Sequence, residues 1–120
     1  MKLIDIVNAR QIIDSFAERE DVCAHLAYWM TKFVINTRGD YEFYVSALNK
    51  LFYAYAQKNA DGEFEVPADR ARAFNTEVQK LCETEAEDPG IRFSLSELSA
   101  ELRLSMKQIY PLLDFIDEDK

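Results

Sequence analysis

Apolar residues recur at helical spacing through most of the chain. In the first segment the apolar stripe consists of Ile6, Ala9, Ile13 and Phe16. A step of three or four residues places such a stripe on one face of a helix. Asp5 precedes the stripe and is a candidate N-cap. The spacing therefore predicts a first helix over residues 5–19.

The longest apolar stripe begins at Val22 and continues to Tyr55. Its period survives past Gly39, so one long helix over residues 22–58 and two helices hinged at this glycine both fit the pattern. A glycine inside a helix costs about 1 kcal/mol relative to alanine. A long apolar face can offset that cost, which favours the single helix.

Aromatic residues are concentrated in this long helix, which holds nine of the 15 in the chain. Several fall off the main stripe, namely Tyr28, Phe43, Phe52 and Tyr53. A helix that is apolar on several sides is either surrounded by the rest of its domain or docked on another molecule.

The middle of the chain predicts a turn, a strand and a third helix. Residues 59–62 have turn composition, and residues 63–66 alternate as a short strand does. We expect this strand to pair with residues 91–93 in a small two-stranded ribbon, because both segments are short and bounded by turn residues. Pro67 is suited to open the third helix, where a missing N–H is not needed.

The last third predicts two further helices. Ser94 and Glu97 have the spacing of a capping box, which would open a short helix ending near residue 102. Ser105 is a candidate cap of the final helix, and Pro111 should either kink this helix or move its start to about residue 108. The residues expected to face the core are Ile109, Leu112, Leu113 and Ile116.

These elements predict a mainly α fold, with one long central helix and a small two-stranded β ribbon, in a single domain over residues 1–120. The chain has 120 residues, 48% of them hydrophobic and 30% charged, which is the composition of one globular domain. Cys23 and Cys82 lack paired spacing and suit a reducing compartment, where each packs as a small apolar group. No signal-peptide core or membrane-spanning stretch is present, so we expect a cytoplasmic protein.

Charge excludes one class of partner and indicates another. The formal net charge is −8, so most of the surface would repel a phosphate backbone, and we expect no direct binding of nucleic acid. Residues 1–82 carry 12 acidic and 10 basic side chains, whereas residues 83–119 carry 10 acidic and 3 basic ones. The C-terminal third is therefore acidic, which either keeps the domain soluble or engages a partner with a basic surface.

No group of residues indicates catalysis, a metal site or a cofactor. Cys23 and His25 are two residues apart and point to different sides of a helix, so they cannot act as a nucleophile pair. The turn at residues 59–62 lacks the first and the last carboxylate of a calcium loop. With three glycines in total, a phosphate-binding loop is not expected. The sequence predicts a protein that is not an enzyme.

Several features follow one another in a recognisable order. A short N-terminal helix precedes a long one that ends at residues 51–62 in a tyrosine, lysine and acidic-glycine turn. Phe74-Asn75-Thr76-Glu77 and an apolar, acidic segment at residues 112–118 follow. This order resembles that of a diverse group of short phage and prophage proteins. The resemblance implies a viral or mobile-element origin, action inside a bacterial cell and a role played by binding, with no catalytic residues.

Two roles fit a small acidic protein of this kind. The first is inhibition of a host defence nuclease, as an anti-CRISPR protein that occupies the Arg- and Lys-lined sites for PAM or target DNA. The second is that of a virion or assembly accessory, or an adaptor, that uses the aromatic helix to oligomerise or to dock on structural proteins.

Each of these two hypotheses predicts specific residues in contact with the partner. Electrostatic contact with the partner is expected from Glu83, Glu85, Glu87, Asp88, Asp114, Asp117, Glu118 and Asp119. Exposed aromatic anchors are expected at Tyr41, Tyr44 and Tyr53.

Overall fold

A computed structural model describes residues 1–117 and shows a mainly α protein with minor β structure. Its α-helices are α1 (Leu3–Asp14), α2 (Ala24–Tyr55), α3 (Ala68–Cys82), α4 (Leu95–Glu101) and α5 (Met106–Ile109). A 3₁₀ helix (Tyr110–Phe115) follows α5, and the strands are β1 (Gln57–Lys58), β2 (Phe64–Glu65), β3 (Phe93–Ser94) and β4 (Ile116–Asp117). The predicted fold class is confirmed.

The long helix α2 is continuous through Gly39, as the single-helix alternative required. Its 32 residues make a rod about 48 Å long at 1.5 Å per residue, which accounts for most of the 53 Å length of the molecule. The predicted end at residue 58 is wrong, because Gln57 and Lys58 leave the helix to form β1.

Helix α1 begins before Asp5 and ends five residues earlier than predicted, at Asp14. Its start is set by a tertiary contact: the backbone N–H of Leu3 donates to the carbonyl of Thr84 at 2.8 Å. Asp5 therefore lies in the first turn and is not the N-cap.

The core surrounds the N-terminal half of α2. Phe33 is fully buried, and its ring centroid lies 5.9 Å from that of Phe93 and 5.0 Å from that of Phe115. Helix α1 contributes apolar side chains from its inner face, and α4 and the 3₁₀ helix close the other sides. The additional buried residues of this cluster include Ile6, Ile13, Leu26, Leu98 and Leu112.

The ribbon exists, but the predicted pairing with residues 91–93 is wrong. Strand β2 pairs antiparallel with β1, with Lys58 opposite Phe64. The turn between them favours this hairpin, because Asn59 Oδ1 accepts from the N–H groups of Asp61 and Glu63, and Gly62 has a φ of +82°. Strand β3 pairs instead in parallel with β4, which brings the end of the described chain beside Phe93.

The segment around Pro111 corrects a further expectation. Ser105 and Gln108 form a reciprocal capping box at α5, and the chain then tightens into the 3₁₀ helix with Pro111 in its first turn. A 3₁₀ helix has three residues per turn, so Leu112 and Phe115 are buried together while Leu113 is 54% exposed. The prediction that Leu113 faces the core, which assumed α-helical spacing, is therefore wrong.

The other end of the molecule is a thin helical hairpin. Helix α3 folds back along α2, and the ring of Phe74 lies 6.4 Å from Phe52 and 6.0 Å from Tyr55. Helix α3 contributes no fully buried residue, and the buried residues of α2 end at Thr37. The C-terminal half of α2, the ribbon β1–β2 and α3 together are called the aromatic arm below.

Candidate functional site

The predicted acidic residues that the structure describes lie in two segments. We call the following set the acidic surface: Glu83, Glu85, Glu87, Asp88, Asp114 and Asp117. All six are exposed. Glu118 and Asp119, the other two predicted contact residues, lie outside the described part of the chain.

The first segment leaves α3 and passes the start of α1. Glu83 accepts a hydrogen bond from Gln79 Nε2 at 2.8 Å, and Glu85 forms an antiparallel bridge with Lys2. The adjacent backbone is held as well, because Ala86 N–H donates to the carbonyl of Met1 at 2.8 Å. The side chain of Glu85 also accepts from the amino group of Met1 at 3.0 Å. These contacts hold the backbone of the segment and the carboxylates of Glu83 and Glu85, which stay exposed.

Asp88 is the most strongly held carboxylate of the acidic surface. Its Oδ1 lies 3.0 Å from Arg92 Nη1, its Oδ2 accepts from Nη2, and Oδ1 also accepts from the N–H of Gly90 at 2.8 Å. The guanidinium, together with the Gly90 N–H, lowers the pKa of Asp88 to about 2. Asp88 is therefore ionised at any ordinary pH.

Arg92 joins the two acidic segments. The hydrogen-bonded carboxylate of Asp88 raises the pKa of Arg92, and Asp117 and Asp114 raise it further through charge alone. The pairing of β3 with β4 explains this arrangement, because it places Asp117 opposite Ser94, two residues after Arg92. The guanidinium carbon also lies 5.5 Å from the centroid of the buried Phe115 ring, so the cluster is anchored on the core.

Apolar side chains that were not among the predicted contact residues flank the acidic surface. Tyr110 is 74% exposed, and Leu113 is exposed beside Asp114. These residues line a shallow pocket of about 220 Å³ together with Asp5 and Asn8 of α1. Tyr110 lies outside the predicted core stripe of the last helix. This position could have identified it as an exposed residue from the sequence.

The three predicted aromatic anchors have different environments. Tyr53 is 62% exposed. Tyr41 is partly covered by Arg10, and Tyr44 is half-buried beside Cys82, where burial raises the pKa of its hydroxyl. Of the three, Tyr53 is the residue available as an exposed anchor.

Further aromatic rings are exposed on the aromatic arm. Phe43 is 57% exposed and Phe64 is 47% exposed, and the Phe64 ring lies 5.5 Å from that of Tyr53. Phe43 lies outside the predicted apolar stripe of the long helix. Phe64 was predicted to lie in a strand, and no functional role was predicted for it. The aromatic arm is thus a second candidate surface.

His25 and Cys23 each contact a different carboxylate of α4. His25 Nδ1 lies 2.8 Å from Glu97 Oε2, and the Cys23 N–H donates to Glu101 Oε2 at 3.2 Å. Both carboxylates of α4 therefore lie at the N-terminus of α2, where negative charge is favourable, but only Glu101 accepts from a backbone N–H of this terminus. Within residues 1–117, no cluster of three His, Cys, Asp or Glu residues has the arrangement of a metal site.

Comparisons with protein-family models, with curated proteins and with solved structures each find no match. Among the helices of the described residues, none has the length and apolar character needed to cross a membrane. The acidic surface and the aromatic arm are therefore the features that bear on function.

Proposed function

We propose that the chain is a binding protein that offers the acidic surface to a basic, nucleic-acid-binding partner and competes there with phosphate groups. The specific candidate is an RNA-guided defence nuclease of a bacterial cell, whose PAM and heteroduplex sites are lined with Arg and Lys. In this role the chain inhibits by occupying a surface and performs no reaction itself.

The acidic segments on either side of Arg92 support this proposal most directly: Asp88 is hydrogen-bonded to Arg92, and the charges of Asp114 and Asp117 act on the same guanidinium without contacting it. Carboxylates from separate segments are held on a common scaffold, so little ordering entropy is lost when they meet a row of cationic side chains. Their charge also steers a basic partner over long distances, an effect that salt weakens.

Tyr110 and Leu113 add a second kind of contact next to these charges. Exposed aromatic and aliphatic side chains that become buried at the centre of an interface supply most of its affinity, whereas charges at the rim set orientation and rate. An interface centred on this region would combine both contributions.

The test is binding of the purified chain to a purified guide-loaded nuclease at two salt concentrations, with target DNA as the competitor. A variant with Glu83, Glu85 and Glu87 changed to Gln and Asp114 and Asp117 changed to Asn should lose binding by at least tenfold. A control variant removes three negative charges elsewhere: it changes Asp61, Glu63 and Glu65, which are exposed in and beside the ribbon at the far end of α3, to the corresponding amides.

The expected result is a complex that forms at low salt, weakens steeply as salt rises and excludes target DNA. The proposal is overturned if no complex forms at low salt. It is equally overturned if the control variant loses binding as strongly as the test variant does.

A second function is favoured by the exposed rings of Phe43, Tyr53 and Phe64. In this alternative the aromatic arm docks on structural proteins, as a virion or assembly accessory would. Such a complex should persist at high salt and be broken by Phe43→Ala with Tyr53→Ala. The salt response therefore distinguishes the two functions.

A further inference from the structure

The outer face of α2, opposite the core, carries a regular pattern of exposed residues. A helix turns by about 100° per residue, so the positions that share this face over its C-terminal half are Gly39, Glu42, Phe43, Ser46, Lys50 and Tyr53. All six are exposed. Helix α3 packs on the other side of α2, through Tyr44, Phe52 and Tyr55.

Gly39 has no role in the fold that would require a glycine. A Cβ atom added at this position would meet nothing within 4 Å, and the residue lies inside a continuous α-helix. Glycine in such a place costs about 1 kcal/mol relative to alanine. What it does provide is a flat position on an exposed face, where another backbone or an aromatic ring can approach closely.

The charges on this face are self-complementary. From Gly39 to Tyr53, the charged residues of the face are Glu42 and Lys50, which stand four residues before and four residues after Ser46. A second copy lying antiparallel, with the two-fold axis at Ser46, brings Lys50 of each copy level with Glu42 of the other. A parallel copy would bring like charges level, which is unfavourable.

In this antiparallel register the two copies of α2 complement each other in shape as well as in charge. Tyr53 stands seven residues after Ser46, and Gly39 stands seven residues before it. In the antiparallel arrangement, each Tyr53 ring is therefore level with the Gly39 of the other copy, where no side chain obstructs it. Phe43, 57% exposed in the monomer, would be covered in the same arrangement.

We propose that the chain forms an antiparallel homodimer through this face of α2, centred on Ser46. The contact strip is about 21 Å long at 1.5 Å per residue, which places it at the small end of specific interfaces. We therefore expect a dissociation constant in the micromolar range. The dimer does not depend on the acidic surface, and α3, which leads into that surface, lies on the opposite side of α2.

The test is sedimentation equilibrium of the full chain over a range of concentrations. Lys50→Glu should weaken the dimer at least tenfold, because the new carboxylate of each copy would then stand level with Glu42 of the other. The combined change Glu42→Lys with Lys50→Glu should restore the dimer. Arg72→Glu, a charge reversal at an exposed position of α3, is the matched control and should leave the dimer unchanged.

Gly39→Leu provides a second, independent variant. Because nothing in the monomer lies near the added side chain, the helical circular dichroism should be retained while the dimer is lost. The proposal is overturned if the wild-type chain stays monomeric at every concentration, if the double charge exchange fails to restore the dimer, or if Gly39→Leu dimerises normally. A monomeric chain that still binds a basic nuclease would overturn the dimer alone and leave the proposed function standing.

Discussion

The guanidinium carbon of Arg10 lies 4.7 Å from the centroid of the Tyr41 ring, a cation–π contact that ties α1 to the middle of α2. Arg10 Nε also donates to Asp14 at 3.0 Å, and its Nη1 reaches the carbonyl of Val34 and the hydroxyl of Thr37 at 3.5 Å. Thr37 is the one buried polar residue of the described core, and its own hydroxyl donates to the carbonyl of Phe33 at 2.7 Å.

We expect Arg10→Ala to lower the free energy of unfolding by about 2 kcal/mol, because a partly desolvated cation–π contact and charged hydrogen bonds are lost together. Arg10→Lys is the control that keeps the charge, and it should cost less. Urea unfolding followed by circular dichroism measures both variants. Equal losses would show that charge at this position contributes nothing and that only the planar guanidinium matters.

Phe33 and Phe43 are phenylalanines of the same helix with opposite environments. Phe33 is fully buried against Phe93 and Phe115, whereas Phe43 is 57% exposed. Phe33→Ala should cost about 3–5 kcal/mol through lost burial and a cavity. Phe43→Ala should change monomer stability by about 0.5 kcal/mol or less. Denaturant midpoints at a concentration below that of dimerisation decide the comparison, and similar losses would contradict the burial pattern.

Gly39→Ala should stabilise the monomer by about 0.5–1 kcal/mol, because alanine removes the backbone entropy that glycine adds to the unfolded chain. The position is open, so the methyl group meets no neighbour. Thermal unfolding at low protein concentration tests this expectation. A decrease in melting temperature would mean that the helix at Gly39 is not regular.

The Asp88–Arg92 pair predicts a pH dependence of stability. The pKa of Asp88 is lowered to about 2 in the folded chain from an ordinary value of about 3.9, so the unfolded state binds more protons between these two values. The contribution of Asp88 to stability is therefore complete above about pH 4 and is lost as the pH falls through about 2.

Asp88→Asn tests this dependence while keeping an oxygen for the N–H of Gly90. Because both side chains of the ion pair are partly exposed, the loss at pH 7 should be below about 1 kcal/mol. The difference between wild type and variant, measured by urea unfolding from pH 7 to pH 2, should shrink towards the acidic end. A difference that stays constant over this range would show that the ion pair does not cause it.

Local rules account for the parts of the fold that were predicted correctly. The apolar period of α2 persists across Gly39, and the N-caps Ser94 and Ser105 accept from the N–H groups of Glu97 and Gln108. Each of these features depends on residues within a few positions along the chain, so the sequence alone was enough to predict them. The predicted capping box at Ser94 is only half formed, because the carboxylate of Glu97 contacts His25 instead.

Some of the wrong predictions depend on contacts between distant segments, and others on the geometry of tight turns. The start of α1 is set by Thr84, and β3 takes its partner from β4. The tight turn at Gly62 instead pairs residues that are close in sequence, and the 3₁₀ geometry after Pro111 turns Leu113 outward. The turn residues Asn59 and Gly62 were a local signal for the hairpin, whereas no local pattern specifies the partners of Leu3 and β3.

The candidate surfaces divide in the same way. The mainly helical fold, the negative charge after residue 82 and the many aromatic residues of the long helix could all be predicted before folding is considered, because composition and period are properties of the chain alone. Tertiary contacts, in contrast, bring the charges of Asp114 and Asp117 near the Arg92 guanidinium that Asp88 binds, and they leave Tyr53 exposed while Tyr41 and Tyr44 are partly covered. Those outcomes depend on which segments pack together. Packing is decided by the relative stability of contacts between residues far apart in the sequence, which a short stretch of sequence does not specify.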